Sequence, residues 1–160
     1  MEVTTGAVVV VGLGNRYRRD DGAGVVAAGA LRDLALPDVR VVTDIVEPIS
    51  LLDAWSGADL AVVIDAVVAP ASVPGRVSRC AVCDVAAGSE AVSSHRVDVA
   101  VAHALGQALD RVPAALTLIT IEVADTGHGV GLTPPVAAAV PEVVRMAVED
   151  INRVRHLTEC

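Results

Sequence analysis

Three side chains that could bind a metal or transfer protons lie where predicted strands meet predicted helices. Asp21 closes the loop that leaves the first predicted strand, directly before a helix. Asp65 follows the apolar segment 60–64, and His95 begins a later helical segment. Two carboxylates and one imidazole suit a borderline divalent ion such as nickel, zinc or manganese. The same three groups could carry out acid–base chemistry without a metal, and their spacing does not choose between the two.

Each of these residues also has a purely structural interpretation. Asp20 or Asp21 could stabilise the positive end of the following helix by roughly 0.3–1 kcal/mol, and we expect one of the pair to do only that. A carboxylate at Asp65 is costly to bury unless it is paired, hydrogen-bonded or coordinated. A histidine such as His95, taken alone, is more often a structural residue than a ligand. The other histidines lack a comparable context and are interpreted as structural or surface residues: His103, His128 and His156.

Alternating strands and helices must position these side chains. The predicted strands are 7–11, 39–43, 60–64, 76–82 (polar, at an edge) and 116–123, and the predicted helices are 22–34, 48–55, 95–109 and a last one that Thr133 caps and Pro134 begins. This alternation predicts a single three-layer α/β/α domain, spanning residues 1–160, whose twisted sheet has about five mostly parallel strands. Ligands bind such sheets beyond the carboxyl ends of the strands, where the strand order reverses. If that order begins 2-1-3, Asp21 and Asp65 lie over neighbouring strands and can converge.

Composition and charge exclude several classes of function. No apolar run reaches the roughly 18 residues that span a bilayer, and the amino terminus lacks the features of a secretory signal. We therefore expect a cytoplasmic monomer with no membrane partner. The net charge of −8 argues against a nucleic-acid partner. The local exception is Arg16, Arg18 and Arg19, a predicted solvated loop tip that could also meet an acidic peptide.

Two further motifs resemble a zinc site and a nucleotide-binding loop, but neither is complete. Cys80 and Cys83 form a Cys-x-x-Cys pair, but no second pair completes a zinc site, so we interpret them as reduced, partly buried thiols. Gly12 and Gly14 begin a dinucleotide-type glycine pattern whose third position is occupied by Tyr17. Adjacent aspartates would also lie where a pyrophosphate should rest on helix amides, which disfavours nucleotide binding.

Four blocks of the chain resemble, in order, the hydrogenase maturation proteases, which trim the carboxyl-terminal extension from the large subunit of nickel–iron hydrogenases. The blocks are GLGNRYRRDDGAG at 12–24, the strand at 60–67, SSH at 93–95 and GVGLTP at 129–134. The resemblance implies that Asp21, Asp65 and His95 are the catalytic and nickel-binding residues. It also implies that the partner is a large-subunit precursor that supplies the nickel, with another divalent metal such as zinc as an alternative.

One segment departs from the family pattern. The family usually carries an Asp-Gly-Gly-Thr-like turn after the second strand, whereas this chain has DIVEP at 44–48, which lacks the flexible glycines and adds Glu47 near the predicted site. The departure leaves three hypotheses open: a maturation endopeptidase, a non-catalytic metal-binding relative, and a nucleotide-using α/β enzyme.

Overall fold

The computed structural model of the chain describes residues 7–68, 71–81, 92–93 and 99–158. The strands in this part are β1 (Val8–Gly12), β2 (Val39–Val42), β3 (Leu60–Val68), β4 (Val77–Ala81), β5 (Val92–Ser93) and β6 (Ala115–Glu122). The helices are α1 (Ala23–Asp33), α2 (Pro48–Trp55), α3 (Val99–Ala108) and α4 (Pro134–Thr158), and a 3-10 turn covers Arg19–Gly22. The predicted strands and helices are thus confirmed within the described residues, with shifted ends.

The sheet has the strand order β2-β1-β3-β6-β4, and the short β5 pairs with β3 outside this path. The strands β2, β1, β3 and β6 are parallel to one another, whereas β4 pairs antiparallel with β6 and β5 pairs antiparallel with β3. The order begins 2-1-3, which is the condition under which Asp21 and Asp65 can converge, and the polar strand lies at an edge, as the sequence predicted. The predicted α/β class with a mostly parallel sheet is confirmed.

Alternate side chains of the central strand β1 build two cores, one on each face of the sheet. Val8 and Val10 pack with α1 and α4, whereas Val9 and Val11 pack with α2 and α3. A strand that is buried on both faces needs apolar residues at every position, which explains the continuous valine run of β1. Trp55 of α2 is fully buried in the second core. Three layers result, with the sheet in the middle.

The prediction that the third strand ends at residue 64 is wrong. Ile64 pairs with Gly12, the last residue of β1, but pairing with β6 continues to Val67 opposite Glu122. The strand continues to Val68 because β6 extends further than β1 in this direction and because Val68 pairs with Val92 of β5. Asp65 lies inside β3, one residue beyond the end of β1.

The last helix, α4, packs one apolar face against the sheet. Val136, Val143, Ala147 and Ile151 are buried in the core that α4 shares with α1. Within the described residues, no helix is both long enough and apolar enough to cross a membrane.

Candidate active site

The loop that follows β1 wraps closely around Asp21. The backbone N–H of Leu13 donates to the carbonyl oxygen of Ile64 at 2.9 Å, so the chain leaves β1 while still bonded to β3. Gly14 has a φ of +121°, and a Cβ built there would lie 2.0 Å from the carbonyl oxygen of Asp21. Asp21 itself is fully buried, and its Oδ2 accepts a hydrogen bond from the backbone N–H of Asn15 at 2.9 Å. The sequence forces a tight, glycine-dependent turn that fixes this carboxylate.

Asp65 lies beside this loop, in the strand next to β1. Its side chain is buried, with 3% of the residue's surface exposed. A Cβ built at Gly24 would lie 2.5 Å from the carbonyl oxygens of both Leu13 and Ile64, so α1 begins directly against the ends of the paired strands. The 3-10 turn that carries Asp21 also lies against β3. Asp21 therefore follows the carboxyl end of β1, and Asp65 lies in the neighbouring strand just past that end, so the order 2-1-3 brings both residues to the same end of the sheet.

Asp20 also fixes this loop, through two hydrogen bonds from Thr133, a residue far away in the sequence. The backbone N–H of Thr133 donates to Asp20 Oδ1 at 2.7 Å, and the Thr133 hydroxyl donates to Asp20 Oδ2 at 2.7 Å. Asp20 is 1% exposed. The sequence predicted a capping role for Thr133 and a helix-stabilising role for one aspartate. Thr133 does directly precede α4, and its carbonyl oxygen accepts from the Ala137 N–H at 2.9 Å. Its hydroxyl bonds to Asp20, which joins the start of α4 to the loop after β1.

Backbone hydrogen bonds join this loop to the loop that follows β6. The N–H of Arg19 donates to the carbonyl oxygen of Gly129 at 2.9 Å, and the N–H of Gly129 donates to the carbonyl oxygen of Tyr17 at 2.9 Å. A parallel bridge pairs Arg18 with Gly129. We call residues 15–19 and 125–131 the rim. Because β1 and β6 lie on either side of β3 in the strand order, their joined loops lie at the same end of the sheet as Asp65.

The third predicted site residue, His95, lies outside the described residues, so its position relative to Asp21 and Asp65 stays a prediction. Among the residues that the structure describes, no group of three His, Cys, Asp or Glu side chains is arranged to hold one metal ion. Cys83 also lies outside them, and Cys80 is a partly buried, reduced cysteine on β4. His103 packs edge-on against Trp55, with ring centroids 6.4 Å apart, which fits its predicted structural role.

Comparison with known proteins identifies the family. The family model described as HycI, hydrogenase maturation protease, matches residues 22–150, which is well over half of the chain. The chain belongs to the hydrogenase maturation protease family. The resemblance predicted from the four sequence blocks is thereby confirmed. No curated protein matches the chain in sequence.

Solved structures of maturation proteases share the fold. The hydrogenase maturating endopeptidase HybD from E. coli is 21% identical and superposes with a TM-score of 0.80, covering 92% of this chain and 93% of that chain. The NiFe hydrogenase maturation protease HybD from Thermococcus kodakarensis is 24% identical, with a TM-score of 0.72 and coverages of 89% and 97%. An endopeptidase from Escherichia coli, solved in solution, is 24% identical, with a TM-score of 0.81 and coverages of 92% and 93%. At these identities the likeness establishes the fold.

Proposed function

We propose that this chain is an endopeptidase that removes the carboxyl-terminal extension from the large-subunit precursor of a nickel–iron hydrogenase after nickel has been inserted. One observation carries the proposal beyond family membership. Asp21 and Asp65 are both buried carboxylates beside the carboxyl end of β1, the end of the strands at which open α/β sheets bind ligands. Their shared location at this end of the sheet favours a functional role for the pair.

In this proposal Asp21, Asp65 and His95 bind the nickel that the precursor carries, so the metal is part of the substrate. Carboxylate oxygens and an imidazole nitrogen suit nickel, and they also suit zinc as the alternative ion. The Asn15 N–H holds Asp21 Oδ2 in one orientation before the substrate arrives. The carboxylates thus orient the metal-bearing end of the precursor without first rearranging the loop. We expect the protein to act in the cytoplasm as a monomer.

A non-catalytic metal-binding relative is the second candidate, and the segment after β2 favours it. That segment leaves the carboxyl end of β2 beside β1, where the family usually has a glycine-containing turn. Asp44 and Glu47 there are exposed, so the segment adds acidic side chains to this edge of the sheet. The nucleotide-using hypothesis is disfavoured because Asp20 and Asp21 are buried just before α1, where a pyrophosphate would have to rest.

The experiment that tests the proposal compares nickel-loaded with metal-free precursor. Each would be incubated with the protein, and the intact mass of the large subunit would be measured by mass spectrometry. Loss of one terminal peptide from the nickel-loaded precursor alone is the expected result. An intact nickel-loaded precursor, with the protein folded and binding nickel by calorimetry, would reject the endopeptidase and favour the non-catalytic relative.

A further inference from the structure

The rim exposes large apolar side chains beside the candidate site. Tyr17 is 66% exposed and Val130 is 75% exposed. The chain contains one tyrosine, one tryptophan and no phenylalanine, and its tryptophan, Trp55, is fully buried. Tyr17 therefore contributes little to the core, and exposed aromatic side chains of this kind are enriched among the residues that dominate protein–protein binding energy.

Hydrogen bonds hold the rim in one conformation. The N–H of Tyr17 donates to Asn15 Oδ1 at 2.9 Å, and the Tyr17 carbonyl accepts from the N–H of Gly129 at 2.9 Å. The N–H of Asp20 donates to the carbonyl oxygen of Asp125 at 3.1 Å, which closes the same pair of loops once more. A surface that is ordered before binding loses little conformational entropy when a partner docks.

The rim is basic although the chain as a whole is acidic. Arg16, Arg18 and Arg19 lie within residues 15–19, and Asp125 is the only carboxylate in the rim. Arg19 Nε lies 3.7 Å from Asp125 Oδ2, with both side chains about half exposed, and the net charge of the chain is −8. An acidic polypeptide would be repelled by most of this protein and attracted here, so charge directs such a partner to this edge.

The rim is also continuous with the candidate site. Asn15 bonds to Tyr17 through its side chain and to Asp21 through its backbone N–H, so a single residue joins the exposed tyrosine to the buried carboxylate. The rim therefore lies next to the candidate site.

We infer that the rim is a docking surface for an acidic segment of the precursor polypeptide, with apolar side chains covering Tyr17 and Val130 and carboxylates facing Arg16. The inference rests on the proposed function for the identity of the partner. It adds a second contact to the metal-binding one: the rim holds the polypeptide itself, independently of whether nickel is present.

The test measures the dissociation constant of the metal-free precursor by calorimetry, because docking on the rim needs no nickel. Tyr17→Ala and Arg16→Gln each change one exposed side chain and should leave the fold intact. The matched controls are Leu34→Ala, whose side chain is 52% exposed, and Arg32→Gln, which removes one exposed bond to the Val41 carbonyl oxygen. Both residues lie at the carboxyl end of α1, whereas residues 15–19 of the rim precede its amino end.

We expect wild-type binding tighter than about 100 µM. Tyr17→Ala should weaken it roughly tenfold. Arg16→Gln should weaken it several-fold at low salt, and about 0.5 M salt should abolish that difference by screening. The controls should bind as the wild type does. Wild-type binding weaker than about 100 µM, rim variants that bind normally, or controls that lose as much would overturn the docking surface. Cleavage of the nickel-loaded precursor tests the endopeptidase separately, so the two failures are distinguishable.

Discussion

The two hydrogen bonds from Thr133 to Asp20 predict the effect of removing one hydroxyl group. Thr133→Val keeps the shape of the side chain and the backbone N–H bond at 2.7 Å, but it deletes the hydroxyl donor to Asp20 Oδ2. A hydrogen bond to a charged group contributes about 1.5–3 kcal/mol, and its loss leaves a buried carboxylate oxygen poorly satisfied. We expect Thr133→Val to lower the free energy of unfolding by about 2 kcal/mol. For a domain of this size, that corresponds to a fall in Tm of roughly 4–8 °C.

Urea unfolding followed by the fluorescence of Trp55 measures this change directly, because that side chain is the only tryptophan and is fully buried. The urea concentration at the unfolding midpoint should fall. The slope of the free energy of unfolding against urea concentration should stay constant, since the surface exposed on unfolding does not change. Thr133→Ser is the matched control. It keeps the hydroxyl and loses only a methyl group, so it should cost less than about 1 kcal/mol.

Two results would refute this reasoning. A Thr133→Val variant within about 0.5 kcal/mol of the wild type would mean that the hydroxyl contributes nothing beyond a surface polar group. A Thr133→Ser variant as unstable as Thr133→Val would mean that packing of the methyl group, and not the bond to Asp20, stabilises the start of α4.

Two other predictions concern a buried charge and a strained turn. Burial raises the pKa of Asp150 despite the nearby guanidinium groups of Arg79 and Arg153, so the folded protein favours its protonated form. The wild type should therefore lose stability relative to Asp150→Asn as pH rises from about 4, the ordinary aspartate pKa, through the raised pKa. Acid unfolding titrations of the two proteins measure this difference. Stability curves that run parallel across this pH range would contradict the prediction. Gly14→Ala should destabilise the fold by more than about 2 kcal/mol, because φ is +121° and the new Cβ would collide with the Asp21 carbonyl; thermal unfolding measures it, and a Tm within about 2 °C of the wild type would refute it.

The strand layout was predictable because apolar runs carry a strong signal. Continuous valine-rich runs bounded by glycine or aspartate indicate strands buried on both faces, and their alternation with helices fixed the class. The end of β3 was not predictable from Asp65, because a charged residue after five apolar ones normally marks a boundary. The apolar run at 66–68 was the available signal. Pairing with β6, which extends beyond the end of β1, continues the strand past Asp65.

In the candidate site, too, the features that depend on local sequence were predictable, and those that depend on distant residues were not. Asp21 and Asp65 were identified because each stands next to a recognisable strand, and parallel strands bring their carboxyl ends to one edge. The bonds between Asp20 and Thr133 could not be predicted, because the two residues are 113 positions apart and each has an ordinary local explanation at a helix start. His95 lies outside the described residues, so the three-residue set remains a proposal.

The most direct test of the central claim is the intact mass of a nickel-loaded precursor after incubation with the wild type and with Asp21→Asn. The variant keeps an oxygen that can accept the Asn15 N–H bond, so it should fold, and circular dichroism would check this. The account predicts that the wild type releases one carboxyl-terminal peptide and that folded Asp21→Asn leaves the precursor intact. Equal cleavage by both proteins would contradict the role proposed for this carboxylate.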